Sequence, residues 1–210
     1  MACKKLTITI TIFFLILLGT ITLSGCTKAP PNNRKDICLI FRQYPEWYWD
    51  SQEVQKHWGV PISVLMAIIY QESRFNATAK PPREKLLWII PWFRPTSAYG
   101  YSQAVNSTWK RYKSETKHTF VSRDAFGDAA DFIGWFANQA HKRAGISKSN
   151  AYELYLAYHE GVGGYMRGTQ FKKKWLLAVA KKVQRRAWIY RSQLSRCQAS
   201  LPSKPWWRVW

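Results

Sequence analysis

The sequence lacks the residue clusters on which metal chemistry depends. Its four histidines are spread along the chain, and none is spaced from another histidine or from a cysteine as metal ligands are. They are His57, His118, His141 and His159. We therefore predict neither a metal site nor another cofactor.

Acidic residues are also missing from one part of the chain. None follows Glu160, whereas lysines and arginines continue to the end, and the formal net charge of the whole sequence is +20. Such a basic face attracts polyanions. Together with the export signal described below, it predicts an anionic polymer of the cell envelope as a partner. A solvated face without a specific partner is the alternative. Nucleic acid is not predicted, because no recognisable reading motif is present.

Segments typical of β-strands are scarce, and no internal repeat occurs. With 210 residues and 47% hydrophobic content, the chain can form one domain with its own core. Apolar spacings of three and four residues indicate helices, so the predicted fold class is mostly α. The predicted helices cover 36–58 (as one or two helices), 61–76, a segment containing 106–112, 124–144, 150–159 and 170–195.

Residues 77–96 are rich in proline around an apolar stretch, Leu86–Phe93. Pro91 would interrupt a strand there, so we predict a long loop that lies over or beside the functional site. Its Trp88, Trp92 and Phe93 could stack on sugar faces or enter lipid, and burial under the loop is the alternative.

The N-terminus has the pattern of an export signal. Two lysines precede an apolar run from Leu6 to Leu23. The run ends in Leu-Ser-Gly-Cys at 23–26, which resembles the lipobox of bacterial lipoproteins. This resemblance implies that 1–25 is a cleaved signal peptide and that Cys26 carries the lipid, in the bacterial envelope at the outer membrane and facing the periplasm. A retained membrane anchor is the alternative.

The predicted mature chain has three parts. Residues 26–35 form a lipid-anchored linker, 36–200 form the folded domain, and 201–210 form a basic, Trp-rich tail. Export places the remaining thiols, Cys38 and Cys197, in an oxidising compartment, so we predict that they form a disulfide. Two unrelated buried thiols are the alternative.

One acidic residue extends an apolar helix face. In segment 61–76, Leu65, Ile68 and Ile69 share a face, and its next position is Glu72. A carboxyl group among apolar side chains loses hydration, so its neutral form is favoured and it can donate a proton near neutral pH. Glu72 is therefore the candidate catalytic acid. A glutamate that ends the helix in water, or pairs with Arg74, is the alternative.

Three short motifs follow one another in order: Glu72-Ser73 after the apolar helix, Gly100 to Gln103 with the pattern Gly-x-x-Gln, and an Ala-Tyr pair before a glycine turn at Ala157 to Gly161. Together they resemble the soluble lytic transglycosylase (SLT, goose-lysozyme-like) family over about 47–187. The family has a mostly helical, lysozyme-like fold and cleaves the glycan strands of peptidoglycan. The resemblance therefore implies peptidoglycan as the substrate.

The resemblance also assigns roles to residues. It implies that Glu72 is catalytic, that Ser73 orients the site and that Gln103 bonds a substrate sugar. Tyr158 matches a tyrosine that lies close to the catalytic carboxylate. The sequence differs from the family pattern at 101–102, at 159–160 and in a longer loop before Gly100. The candidate substrate-binding residues are Ser73, Gln103, Tyr158, Tyr101, His159 and Glu160.

The family's mechanism uses one carboxyl group. It protonates the glycosidic oxygen between N-acetylmuramic acid and N-acetylglucosamine, and it then takes the proton of the muramic C6 hydroxyl, which attacks C1 and forms a 1,6-anhydro sugar. An intramolecular nucleophile needs no second carboxylate. One alternative is a lysozyme-type hydrolase in which Glu160 activates water beside Glu72. Another is a non-catalytic envelope lipoprotein that binds cell wall or lipid.

Overall fold

The computed structural model describes residues 28–82, 85–86, 90–91 and 96–208. The predicted signal peptide and Cys26 lie outside the described residues. So do Trp88, Trp92 and Phe93 of the predicted loop. The sequence-based hypotheses about these residues stay predictions.

The described residues form seven α-helices, which confirms the predicted mostly helical fold class. They are α1 Ile37–Gln43, α2 Pro45–Trp58, α3 Ile62–Ser73, α4 Asn106–Thr116, α5 Phe126–Ala144, α6 Ala151–Met166 and α7 Lys174–Cys197. Short 3-10 helices at Thr169–Lys172 and Gln198–Ser200 flank α7. Within the described part of the chain, no helix is long and apolar enough to cross a membrane.

Two very short strands occur where the sequence predicted a loop without strands. They are β1 Lys85–Leu86 and β2 Ile90–Pro91, paired antiparallel with Lys85 opposite Pro91. Proline cannot donate a hydrogen bond to a strand ladder, which was the reason for predicting a loop. The ladder is only two residues long on each side, so the proline lies at its end, where a missing donor is tolerated.

Helix α3 forms the centre of the fold. It packs against α7, α2, α5 and α6, and every residue from Ile62 to Ile69 is buried. The sequence predicted one apolar face, whereas helices cover α3 on several sides. A polar side chain in the last turn of such a helix lies next to the core and loses much of its water.

Helix α6 is longer than the sequence predicted. The helix was expected to stop at His159 before the glycine turn, but it continues to Met166. Gly161 alone leaves the helical conformation, with φ of 71° and ψ of 153°, and the chain then resumes the helix. Glycine has no Cβ and adopts this positive φ without strain, so the turn becomes a kink within one helix.

Helix α7 has a buried face and an exposed basic face. Its buried side chains recur at helical spacing and are Leu176, Ala180, Val183, Ala187, Tyr190, Leu194 and Cys197. Cys197 forms a disulfide with Cys38 of α1, with their Cα atoms 6.1 Å apart. This bond joins the beginning of the folded domain to its end across 159 residues of sequence.

Candidate active site

Glu72 lies in the last turn of α3, beside the buried Ile68 and Ile69. The residue is only partly exposed, so its carboxyl group is poorly hydrated yet still reachable. Burial raises the pKa of Glu72 from 4.5 to about 7, against the opposing effect of a hydrogen bond with Tyr155. A carboxyl group with this pKa is close to half protonated at neutral pH. It can therefore act both as a proton donor and as a proton acceptor.

Two tyrosines of α6 face Glu72. The Tyr155 hydroxyl hydrogen-bonds with the Glu72 carboxyl. The pKa of Tyr155 is raised, mainly by burial and to a smaller extent by the charge of Glu72. The Tyr158 hydroxyl donates to the backbone oxygen of Ser102 at 2.6 Å. Burial and the Glu72 charge also raise the pKa of Tyr158. Both hydroxyls therefore keep their protons near neutral pH and remain hydrogen-bond donors.

Tyr155 was not among the residues predicted for the site. Its position was visible in the sequence, because Tyr155 precedes Tyr158 by three residues on the same predicted helix. Side chains with this spacing are neighbours on a helix surface. A tyrosine one turn before the predicted Tyr158 was therefore a candidate for contact with the same carboxyl group.

The turn from Gly100 to Gln103 is fixed to the chain that leaves α3. The Gly100 N–H and the Gln103 Nε2 both donate to the backbone oxygen of Ala79, at 3.0 and 2.9 Å. Nε2 also donates to the backbone oxygen of Gly100 at 2.9 Å. These bonds occupy the amide nitrogen of Gln103 and leave its amide oxygen as the group that can accept from a sugar hydroxyl. Through Ser102, the same turn is bonded to Tyr158 of α6.

The backbone directly after Glu72 is strained. Arg74 and Phe75 have φ of 54° and 61°, a left-handed conformation that costs energy in residues with a Cβ. Phe75 is fully buried and stacks on Trp47 at 5.9 Å between ring centres, which holds the turn in place. The packed turn fixes the end of α3, and with it the position of the Glu72 side chain.

Ser73 bonds its own helix. Its hydroxyl donates to the backbone oxygen of Ile69 at 3.2 Å, and the residue is buried. Ser73 was predicted to orient the site and to bind substrate. Its contacts fit the first role, because they stabilise the last turn of α3.

Tyr101 was predicted to bind substrate, and its burial corrects that prediction. Tyr101 is 1% exposed, and its ring packs edge-on against Trp47 and Phe126, at 5.5 and 5.6 Å. The side chain of Tyr101 therefore faces the core. Substrate cannot reach a ring that these aromatic side chains enclose.

Glu160 and His159 form a local network beside the α6 kink. The Glu160 Oε1 atom accepts from Lys173 Nζ at 2.7 Å and lies 2.9 Å from His159 Nδ1, and the other carboxylate oxygen accepts from the Thr169 hydroxyl. Burial alone raises the pKa of Glu160, but the hydrogen bonds from Lys173, Thr169 and His159 outweigh it and lower the pKa to about 2. The His159 ring lies edge-on against Trp175, with 5.1 Å between ring centres.

This network corrects the predicted role of Glu160 in binding substrate. Its side chain is 4% exposed, and both of its oxygens are occupied by neighbours. The carboxylate stays ionised at neutral pH because of these bonds, so it is neither a proton donor nor a strong base. Its position stabilises the start of α7 against α6.

A separate cavity of about 880 Å³ opens between α2, α4 and α5, and Glu72 is not among its lining residues. Asp131 lines it and accepts hydrogen bonds from Trp58 Nε1 and the Tyr112 hydroxyl, both at 2.7 Å. These contacts give Asp131 a structural role. Among the residues that the structure describes, no three histidine, cysteine or acidic side chains are grouped as a metal would require.

Comparison with protein families identifies the class of this chain. The sequence model described as "Transglycosylase SLT domain" matches residues 14–197. The chain therefore belongs to the transglycosylase SLT family, and its mostly helical fold is the lysozyme-like fold of that domain. No curated protein sequence matches it.

The family resemblance predicted from the three motifs is confirmed. The protein is a peptidoglycan lytic transglycosylase, and its substrate is peptidoglycan. Membership of an enzyme family opposes the alternative of a non-catalytic envelope protein. The identity of the acting residues belongs to the proposal below.

Proposed function

We propose that the protein cleaves the bond between N-acetylmuramic acid and N-acetylglucosamine and leaves a 1,6-anhydro end, with Glu72 as general acid and then general base. The observation that carries this proposal is the carboxyl group of Glu72 at the end of a buried helix, with a pKa raised to about 7. General acid–base catalysis works best when the pKa of the group is near the working pH.

The proposed reaction returns the enzyme to its starting state. Neutral Glu72 gives its proton to the glycosidic oxygen as the bond from this oxygen to muramic C1 breaks. The ionised carboxylate then takes the proton of the muramic C6 hydroxyl while O6 forms a bond to C1. One C–O bond is broken, another is formed, and no water is consumed. The attacking hydroxyl belongs to the same sugar, so its effective concentration is high without a second carboxylate.

The neighbours of Glu72 support both protonation states. Tyr155 donates to the ionised form, which keeps the pKa from rising further and allows the proton to leave. Tyr158 and the turn at Ser102 fix α6 beside α3, so Tyr155 stays in place. The amide oxygen of Gln103 is the proposed acceptor for a sugar hydroxyl.

The hydrolase alternative is less well supported. It needs a second carboxylate able to activate water, and Glu160 was the candidate for this role. With its pKa lowered to about 2 by Lys173, Thr169 and His159, Glu160 binds protons too weakly to be an effective base near neutral pH. The single-carboxylate mechanism therefore fits the described residues better.

Purified wall material tests the assignment of Glu72. We expect Glu72→Gln to lower the rate of glycan release by about 10²- to 10⁴-fold, the usual contribution of a positioned acid or base. Glu115→Gln is the matched control, because Glu115 is exposed and pairs with Arg111 on α4. Its carboxylate also accepts from Trp135 Nε1 and Gln139 Nε2, and the amide oxygen of glutamine can keep accepting these bonds. Equal rates for Glu72→Gln and the wild type would rule out Glu72 as the catalytic residue.

We further propose that a lipid on Cys26 anchors the enzyme in the bacterial envelope, at the outer membrane, with its basic C-terminal face attracted to an anionic envelope polymer. The lipobox-like Leu-Ser-Gly-Cys at 23–26 supports the anchor, and the lack of acidic residues after Glu160 supports the attraction. Mass spectrometry of the mature N-terminus tests the anchor. We expect a chain that begins at an acylated Cys26 and expect Cys26→Ser to release the protein from membranes. An unmodified Cys26 in the mature protein would exclude this proposal.

A further inference from the structure

A cationic pocket lies between α3 and α7, on residues that the proposed mechanism does not use. Its volume is about 460 Å³. The positively charged lining residues are Lys35, Arg74, Lys182, Arg185 and Arg186, and no acidic residue lines it. Tyr70, Gln71 and three apolar side chains complete its surface. Five cations around so small a space create a strong positive potential.

Two of the cations are held on one aromatic ring. The guanidinium carbons of Arg74 and Arg186 lie 4.2 and 4.5 Å from the centre of the Tyr70 ring. Arg186 also lies 5.5 Å from the centre of the Tyr190 ring. Stacking restricts these guanidinium groups, so their hydrogen-bond donors are fixed before a ligand arrives. Both guanidinium groups are positively charged and lie beside one ring, so they repel each other, and a bound anion would relieve that repulsion.

Across the part of the chain that the structure describes, no acidic side chain lines the pocket with these five cations. Among the described residues, none of them forms an ion pair, whereas other cations of the C-terminal part of the chain do: Lys173 pairs with Glu160, and Arg208 pairs with Asp50. Asp36 is the acidic residue whose charge acts on Tyr190. Its carboxylate accepts from two backbone N–H groups as the N-cap of α1, and Asp36 is not among the residues that line the pocket.

The pocket is assembled from separate segments that are firmly connected. Gln193 of α7 donates through Nε2 to the backbone oxygen of Lys35 at 3.2 Å, and the Tyr190 hydroxyl donates to the backbone oxygen of Arg34. The disulfide from Cys38 to Cys197 joins the same two segments. Lys35 is therefore held at the face of α7.

We propose that this pocket binds a phosphate-bearing anion with at least two negative charges. A single carboxylate would leave most of the five cations unneutralised, whereas a phosphate group offers several acceptor oxygens that match the forked donors of arginine. The phosphate can come from a lipid head group or from a soluble phosphate. The proposal goes beyond the catalytic function, because binding needs no turnover at Glu72.

Calorimetric titration of the full chain with sodium pyrophosphate tests the pocket. We expect Arg185→Gln/Arg186→Gln to weaken binding by at least about tenfold, as the loss of charge-assisted hydrogen bonds implies. Lys174→Gln/Arg196→Gln is the matched control, since it removes the same charge from exposed positions of α7 that do not line the pocket. We expect this control to stay within about twofold of the wild type, the small effect of screened surface charge.

Two results would overturn the proposal. One is a wild-type protein that does not bind pyrophosphate at low salt, and the other is an equal loss of affinity in both double variants, which would mean a diffuse basic surface. Circular dichroism spectra and melting temperatures of both variants must match those of the wild type. If Arg185→Gln/Arg186→Gln does not fold, Arg185→Gln alone, at an exposed position, replaces it.

Vesicles distinguish the source of the phosphate. If vesicles with anionic phospholipid bind the wild type and Arg185→Gln/Arg186→Gln abolishes that binding, the pocket takes a lipid head group. If only pyrophosphate binding is lost and vesicle binding is unchanged, the pocket takes a soluble phosphate. Vesicles of zwitterionic lipid provide the baseline for both measurements.

Discussion

Replacing Glu72 by glutamine should stabilise the protein at alkaline pH. In the folded state the pKa of Glu72 is raised to about 7, because burial removes water from the carboxylate, whereas the unfolded chain has the ordinary value of 4.5. Between pH 4.5 and about 7, Glu72 is therefore still largely protonated in the folded state but largely ionised in the unfolded state. Stability from this group is fully present below pH 4.5 and decreases as pH rises towards 7.

The magnitude follows from the size of the pKa difference. A shift from 4.5 to about 7 corresponds to a limit of about 3 to 4 kcal/mol, since each pKa unit is worth about 1.4 kcal/mol. Glutamine resembles the neutral acid and never ionises, so Glu72→Gln avoids this cost. We expect the variant to exceed the wild type in free energy of unfolding by up to about 3 kcal/mol at pH 8 and to match it at pH 4.

Urea unfolding at the two pH values measures this difference, and Glu160→Gln is the control of opposite sign. The pKa of Glu160 is lowered to about 2, because the bonds from Lys173, Thr169 and His159 outweigh burial. Ionised Glu160 therefore stabilises the folded state above pH 4.5, and this contribution is lost as pH falls towards 2. We expect Glu160→Gln to be less stable than the wild type at pH 8. The idea of a poorly hydrated carboxyl group would be refuted if the free energy of unfolding of Glu72→Gln exceeded that of the wild type by no more at pH 8 than at pH 4.

Three further changes follow from the structure. Tyr155→Phe removes a bond that lowers the pKa of Glu72, so the alkaline limb of the profile of kcat/KM against pH should move to higher pH; an unmoved or lower limb contradicts the contact. Replacing Cys38 and Cys197 by serine opens a loop of 159 residues and should lower the free energy of unfolding by about 4–5 kcal/mol in urea titrations, and a loss below about 1 kcal/mol would exclude a stabilising bond. Gly100→Ala would press a Cβ against the backbone oxygen of Arg123 at φ of 76°, so we expect a lower melting temperature; an unchanged melting temperature would contradict this clash.

Local sequence patterns were sufficient to predict most of the helices and the position of Glu72. These features depend on residues that are near each other in the sequence. The spacing of apolar residues predicts a buried side of α3. Gly59 and Gly145 adopt the left-handed conformation that ends α2 and α5. The kink at Gly161 was predicted as a helix end. A single glycine can leave the helical conformation while the following residues resume it, and local pattern cannot distinguish these outcomes.

The contacts of the site depended on tertiary structure. Tyr101 was predicted to bind substrate, but packing against Trp47 and Phe126 places it in the core. The ionised state of Glu160 depends on Lys173, thirteen residues later, and no spacing rule connects them. Tyr155 could have been found, since it lies one helical turn from Tyr158.

The mass of the products from purified peptidoglycan tests the proposed chemistry most directly. The wild-type enzyme should yield fragments with 1,6-anhydromuramic ends and no added water, whereas Glu72→Gln should yield almost none. Fragments that carry one added water at each cut, with reducing muramic ends, would contradict the single-carboxylate mechanism and restore hydrolysis as the reaction.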